Sequence, residues 1–304
     1  MNLIFVGKGK KGALTLKGII EKGWRVQLCV TSPPKNSDTE WDVSVDQICS
    51  EKKIPIHATG NINSEESLMK IKSLSPDVII VSSFTQIFKQ PLLKIPSMEV
   101  VNVHSSMLPD YRGASPLNWA LINGEEYVGC SVIAMDGGID TGDILSQRKI
   151  SVDINDTILD LHTKINHIAS DLVHEVLNDY KNDSVKRIPQ KHSEGCYYHS
   201  RTFEDGLINW RTMTAIQVHN QIRALAPPYP CAFTYIGNKK LFLCRARLLD
   251  ENYCGVPGRI ISVQKKGMIV IAKDRGVLIE RACLEEGEEQ RASDFTNLRG
   301  SNLR

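Results

Sequence analysis

Over its first 185 residues this chain alternates short apolar runs with stretches of helical periodicity, and that alternation narrows the possible folds more than any other feature. LIFV, a Gly/Lys loop, ALTLKGIIEKG and RVQLCVT read as strand, turn, helix and strand. Short continuous apolar runs are strands buried on both faces, as in a parallel sheet covered by helices. The rhythm continues: Asp42 to Lys53 predicts a helix, Pro55–His57 a short strand, Ser64 to Ser73 a helix capped by Ser64, and DVIIVSS a buried strand. EVVNVH, CSVIAM and ILSQRKISV supply further strands. From Thr157 to Lys181, Ile158, Leu161, Ile165, Ile168, Leu172 and Val176 recur at helical spacing, which gives one long closing helix.

The expected fold is therefore α/β, with a Rossmann-like parallel sheet over residues 1–185. A linker-like stretch over 186–205 follows, and then a β-rich domain over 206–304. After one amphipathic helix near Ala215 to Ala224, the segments AFTYIG, KLFLCRARLL, GRIISV, GMIVIA and GVLIERA are short strands broken by Gly and Pro. That texture predicts a small OB-like barrel. A length of 304 residues fits two domains, since one domain usually takes ~100–200 residues.

Hydrophobic residues at 41% and charged residues at 24% exclude a disordered or fibrous chain. A net charge of +2 does not imply a polyanion partner, but residues 201–304 hold 16 Lys/Arg against 11 Asp/Glu, so the basic excess lies there. The eight cysteines show no C-x-x-C and no pairing rhythm, which argues for reduced thiols over zinc or disulfides. MNLIFVGKGKKG reads as a strand rather than a signal peptide, and no apolar run reaches the ~18 residues of a membrane helix. A cytoplasmic protein is expected.

The chemistry concentrates in VNVHSSMLPDYRGASPLNW and GGIDTGD. Asn102 and His104 lie two apart at the end of an apolar run, so a strand points both to one face. With Asp140, an amide, an imidazole and a carboxylate are placed to converge on one reacting carbonyl. Asn102 would donate to a developing oxyanion, and His104 would donate to that oxygen or move a proton. Asp140 would orient the imidazole or accept a proton through water. Asp136 and Asp143 share the Asp140 loop, but their spacing fails the calcium-loop pattern and no metal is expected.

Gly7-Lys8-Gly9-Lys10-Lys11-Gly12 matches G-x-G-x-x-G between a strand and a helix. The second strand ends Val30-Thr31-Ser32-Pro33 without the acidic residue a dinucleotide site requires, so NAD is disfavoured. Lys8, Lys10 and Lys11, with Gly9, at a helix N-terminus still make a candidate anion site for an acceptor's phosphates.

The pattern N-x-H, S-x-L-P-x-Y-R-G and an Asp in a Gly-rich loop resembles the 10-formyltetrahydrofolate-dependent formyltransferases. RTFEDGLINW, NQIRALAPPYPCAFTYIGNKKL and SDFTNLRGSNL resemble the carboxy-terminal region of the same superfamily. The resemblance implies 10-formyltetrahydrofolate as cofactor and Asn102, His104 and Asp140 as the catalytic set. It also implies that Ser83, Phe84, Thr85, Gln86 and Ile87 line the folate slot together with Gly137, Gly138 and Ile139. Ser105, Met107, Leu108, Pro109, Tyr111 and Arg112 would then border the acceptor.

SPLNWALINGEE and YYHSRTFEDG look more like the sugar-nucleotide N-formyltransferases, in particular the domain that formylates UDP-4-amino-4-deoxyarabinose. That branch implies a UDP- or dTDP-linked amino sugar acceptor and a role in lipopolysaccharide O-antigen biosynthesis. A homodimer is a separate expectation. Methionyl-tRNA formyltransferase is the alternative. The loop Ser32 to Asp42, with one Lys against three acids, speaks against nucleic acid, while the basic tail keeps tRNA open. A module that kept the fold and lost catalysis is a third reading, opposed by the intact trio.

Overall fold

A computed structural model describes residues 1–33, 43–191, 193–285 and 287–304. The chain divides into two compact units. The first comprises Met1–Pro116, Tyr127–Ile150 and His162–Tyr198, and the second Leu117–Glu126, Ser151–Leu161 and His199–Arg304.

The first unit contains the strands β1 (Leu3–Gly7), β2 (Val26–Thr31), β3 (Ile56–Ala58), β4 (Val78–Ser82) and β5 (Glu99–His104). They interleave with α1 (Gly9–Glu21), α2 (Val45–Lys52), α3 (Glu65–Ser73) and the single turn α4 (Gln90–Leu93). The two-residue strand β6 (Arg112–Gly113) precedes α5 (Pro116–Asn123), β7 (Tyr127–Ala134), β8 (Ile144–Ser151), α6 (Ile158–Lys181) and β9 (Tyr197–Tyr198). Seven strands form one sheet in the order β3-β2-β1-β4-β5-β7-β8. Every residue of β1 and β4 is buried, which explains their unbroken apolar sequence. Ile4, Val6, Leu28, Val30, Ile79, Val81 and Val100 pack with Phe88 and Leu92 into one core cluster. Ser44 and Ser64 accept from Gln47 and Ser67 N–H groups and so start α2 and α3.

β1 to β5 pair in parallel, as the alternation predicts, but β7 runs antiparallel to β5, with His104 opposite Ser131 and Val101 opposite Ala134. An apolar run fixes burial and leaves direction to the connection. Here β7 enters beside the end of β5 and leaves toward its middle, which launches the loop carrying Asp140 back over the face of β5.

In the second unit, the helix α7 (Ala215–Ala224) opens with a reciprocal capping box between Thr214 and Gln217. The strands β10 (Ala232–Ile236), β11 (Lys239–Leu248), β12 (Ile260–Gln264), β13 (Gly267–Ile271), β14 (Gly276–Leu284) and β15 (Gln290–Arg291) follow. They form an antiparallel sheet ordered β10-β11-β14-β13-β12, with β15 beside β14. The final residues bond to both of its edges. Tyr235 exchanges hydrogen bonds with Arg304 at 3.0 and 2.9 Å, and Ile260 N–H donates to Ser301 at 3.0 Å. The short strands thus form an antiparallel sheet whose two edges the last residues meet, an arrangement compatible with the expected OB-like form. No helix among the described residues is long and apolar enough to cross a membrane.

Candidate functional site

Asn102 and His104 share one face of β5, while Val101 and Val103 on the other face are buried. Asn102 Nδ2 donates to Asp140 Oδ1 at 3.3 Å. His104 Nδ1 lies 3.5 Å from Asp140 Oδ2, with only 8% and 12% of the two side chains exposed. The other ring nitrogen, Nε2, is 2.8 Å from the Tyr111 carbonyl. A carbonyl only accepts, so Nε2 carries hydrogen and the neutral ring keeps its lone pair on Nδ1, facing the carboxylate. Burial lowers the His104 pKa from the ordinary imidazole value; Asp140 and the Tyr111 bond oppose that shift, and Lys11 adds to it.

Asp140 is held by several ties. Gly113 N–H donates to its Oδ2 at 2.9 Å. Gln190 Nε2 donates to the carbonyls of Asp140 and Gly142 at 2.9 and 2.7 Å. Arg112 Nε and Nη2 in turn donate to Gln190 Oε1 at 3.1 and 2.8 Å, and Nη1 donates to the Glu194 carbonyl at 3.1 Å. At the loop's end, a β-carbon at position 142 would lie 1.6 Å from the Ala134 carbonyl oxygen, so only glycine lets it close. Asp136 Oδ1 accepts from Gly138 N–H and from the Thr141 hydroxyl, which shapes the loop's start. Ser83, Tyr111, Ser115 and Asp140 all hold left-handed backbone, with φ of 56°, 59°, 53° and 53°. Non-glycine residues hold that conformation where the surroundings over-determine it.

The structure brings Asn102, His104 and Asp140 together and sorts the remaining candidates. Arg112 is 0% exposed, and its donors go to Gln190 and Glu194, so it fastens the Asp140 loop instead of reaching out to an acceptor. Leu108 packs with Ile133 and Ile144, and the sulfur of Met107 sits against Gly129. Ser105 is buried, and Pro109 lies with its carbonyl close to Gly195. Tyr111 contributes its carbonyl to His104 and stacks its ring on Tyr198 at 4.8 Å. Lys8, Gly9 and Lys10 are half-buried at the start of α1, where Gly9 has φ 65° and Lys8 Nζ donates to the Pro33 carbonyl at 3.3 Å.

Among the folate candidates, Ser83, Thr85 and Ile87 are exposed, and Ile87 and Ile139 are 67% and 54% exposed. Gln86 is turned inward, accepting from Ile62 N–H at 2.7 Å and donating to the Thr59 carbonyl at 3.3 Å. Phe84 packs on the core and meets Phe88 edge-on. A β-carbon at Gly137 would meet Gln90 Nε2 at 3.6 Å, an ordinary contact. Two exposed apolar side chains on loops with accessible main chain fit a flat, partly apolar ring.

Two groups at this site had no sequence signal as site residues: the Gly113 N–H and Gln190. Gln190 stands in an unremarkable polar stretch. Lys11, expected in the anion site of the Gly/Lys loop, instead turns its ammonium to the Val103 carbonyl.

A largely parallel sheet followed by a separate antiparallel sheet is the architecture of the formyl-transfer class. Residues 1–177 match the family Formyl transferase and residues 201–300 match Formyl transferase, C-terminal domain. The chain belongs to the formyl transferase family and is a 10-formyltetrahydrofolate-dependent formyltransferase. It is 35% identical to the methionyl-tRNA formyltransferase of Geobacter sulfurreducens, over 97% of this chain and 93% of that protein. It is 34% identical to that of Clostridioides difficile, over 92% and 91%. The structure of the N-formyltransferase from Helicobacter canadensis, in complex with folinic acid and dTDP-3-aminofucose, superposes with a TM-score of 0.72 at 20% identity, over 95% of this chain and 100% of that one.

These relationships correct the acceptor. The expected amino-sugar nucleotide, the O-antigen role and the exclusion of nucleic acid are overturned by near full-length relatives that are methionyl-tRNA formyltransferases. The segments that suggested the sugar branch serve packing. Asn118 is buried and donates to the Ala224 carbonyl at 2.8 Å, capping the end of α7. Trp119 Nε1 donates to the His199 carbonyl at 3.1 Å. Such fasteners say nothing about an acceptor. The loop Ser32 to Asp42, whose charge argued against nucleic acid, lies outside the described residues from position 34 to 42.

Proposed function

We propose that this protein transfers the formyl group of 10-formyltetrahydrofolate to the α-amino group of methionyl-tRNA, working in the cytoplasm. The observation that carries this reading is the 35% identity to a methionyl-tRNA formyltransferase across 97% of the chain. The 16 Lys/Arg against 11 Asp/Glu of residues 201–304 agree with a phosphate-rich partner.

Ser83 to Ile87 and Gly137 to Ile139 hold the folate in this reading, with Ile87 and Ile139 offering apolar contact. The folate supplies the electrophilic formyl carbon. Asn102 spends one amide hydrogen on Asp140, and its second hydrogen stabilises the negative charge that develops on the formyl oxygen as the amine nitrogen bonds to carbon. His104 takes the amine's proton on Nδ1, because Nε2 is committed to Tyr111 and the depressed proton affinity leaves the ring neutral and ready to accept. Asp140 Oδ2 stabilises the imidazolium so formed. The proton then passes to the departing folate nitrogen as its bond to the formyl carbon breaks.

The deciding experiment mixes the protein with 10-formyltetrahydrofolate and either methionyl-tRNA or UDP- and dTDP-amino sugars, and follows tetrahydrofolate release together with N-formylation. Turnover with methionyl-tRNA that weakens steeply with added salt is expected. Formylation of an amino sugar alone, or release without any acceptor, would refute the reading.

A further inference from the structure

One cation at the site has no part in the chemistry above. Lys11 belongs to the first turns of α1, yet its ammonium turns inward and donates to the Val103 carbonyl at 2.6 Å. That carbonyl belongs to the peptide joining Val103 to His104, so this bond grips the strand end that carries His104, one residue beyond Asn102. Burial lowers the lysine's proton affinity, while Cys130 and Asp140 pull it back up. An apolar side chain of the same length would be cheaper to bury there, and a desolvated ammonium persists where it has carbonyl and carboxylate partners.

We infer that Lys11 is a positioning residue for formyl transfer, its inward-turned ammonium tethering the Val103 carbonyl that leads into His104. This rests on the catalytic reading of the trio. Three groups face His104: Asp140 from the loop after β7, Lys11 from α1, and the Tyr111 carbonyl at Nε2. Lys11 also acts on Cys130 of β7, a thiol pushed by burial up to about 11, and on His162 of α6, held down to about 4 by burial and then by Lys11 and Lys10. Arg148 of β8 acts on Cys130. Of these, Lys11 is the one whose removal strips a like charge from His104, which favours the imidazolium.

The test compares wild type, Lys11→Met and Lys11→Arg. The His104 ring is titrated by NMR in the free protein, and kcat and KM are measured across pH with methionyl-tRNA. In K11M, His104 should titrate at higher pH than in wild type, and the acid limb of the rate profile should move the same way. Turnover should fall on the order of tenfold to a hundredfold as the strand end loosens. KM should stay within about twofold, since the tether acts on groups used in the transition state. K11R should keep the wild-type position of the acid limb. Titration of His104 at unchanged or lower pH in K11M, or turnover within about twofold of wild type, overturns the inference. Should K11M not fold, Lys11→Gln carries the same test. Should wild type not formylate methionyl-tRNA, the acceptor reading fails, and the ring titration still decides the role of Lys11.

Discussion

Asp140 meets His104 on the one ring nitrogen that is free: its Oδ2 lies 3.5 Å from Nδ1, while Nε2 is committed to the Tyr111 carbonyl. The ring is thus oriented from both sides, and proton traffic is confined to a single atom. The same carboxylate also holds Asn102, so the groups assigned to oxyanion and proton are set by one residue.

His104→Ala should lower turnover by at least about a hundredfold, the usual contribution of a placed proton acceptor. Leaving the Tyr111 carbonyl without its donor should cost about 1–3 kcal/mol of stability. Single-turnover kinetics and a denaturant melt separate the two effects. Near wild-type turnover would remove His104 from the mechanism.

Asp140→Asn tests the carboxylate with little change in shape. Each oxygen accepts, from Asn102 Nδ2 and from Gly113 N–H, so an amide must turn its NH2 toward one of these donors. Asparagine tolerates the left-handed backbone found here, φ 53°, so the loss should be electrostatic. A drop in turnover of about 10²–10⁴ is expected, with a melting temperature reduced by only a few degrees. Unfolding of the variant would instead show that the ties to Asp140 are mainly structural.

His162 gives a stability prediction with a definite sign. Its pKa falls from 6.5 to about 4, first through burial and then through Lys11 and Lys10. The unfolded chain takes up this proton before the native one does, so native stability is fully present above pH 6.5 and drains away as pH falls toward 4. The loss should total roughly 3 kcal/mol. Denaturant melts of wild type and His162→Asn between those pH values should show a shallower slope in the variant.

Arg112→Lys should cost stability more than acceptor affinity. A lysine cannot reproduce the forked bonds to Gln190 and the bond to Glu194, and it leaves buried acceptors unsatisfied, at about 2–4 kcal/mol in all. Thermal melting alongside KM for methionyl-tRNA checks this. A large rise in KM with unchanged stability would return Arg112 to the acceptor surface.

Much of this architecture is written locally. The strands β1 and β4 are legible because burial on both faces demands continuous apolar sequence, and Asn102 and His104 because a strand's period of two puts them on one side. The reversed direction of β7 was hidden, since CSVIAM is equally apolar either way. Arg112 reads as a surface cation from sequence, because its partners, Gln190 and Glu194, lie about eighty positions away. Lys11 reads from sequence as part of an anion site, because nothing local reveals that its ammonium reaches the Val103 carbonyl of β5. The acceptor was misread for a related reason: Asn118 and Trp119 resembled one branch of the family while serving as fasteners.

The clamp on Asp140 comes from a glutamine 50 residues further along the chain. A nascent polypeptide still missing that segment has already made all three reactive groups, and Asn102 and Gly113 to meet the carboxylate, but lacks the tie that holds the loop's main chain. Competence should therefore arrive late in synthesis, as a single event, and a half-made enzyme on the ribosome should be inert.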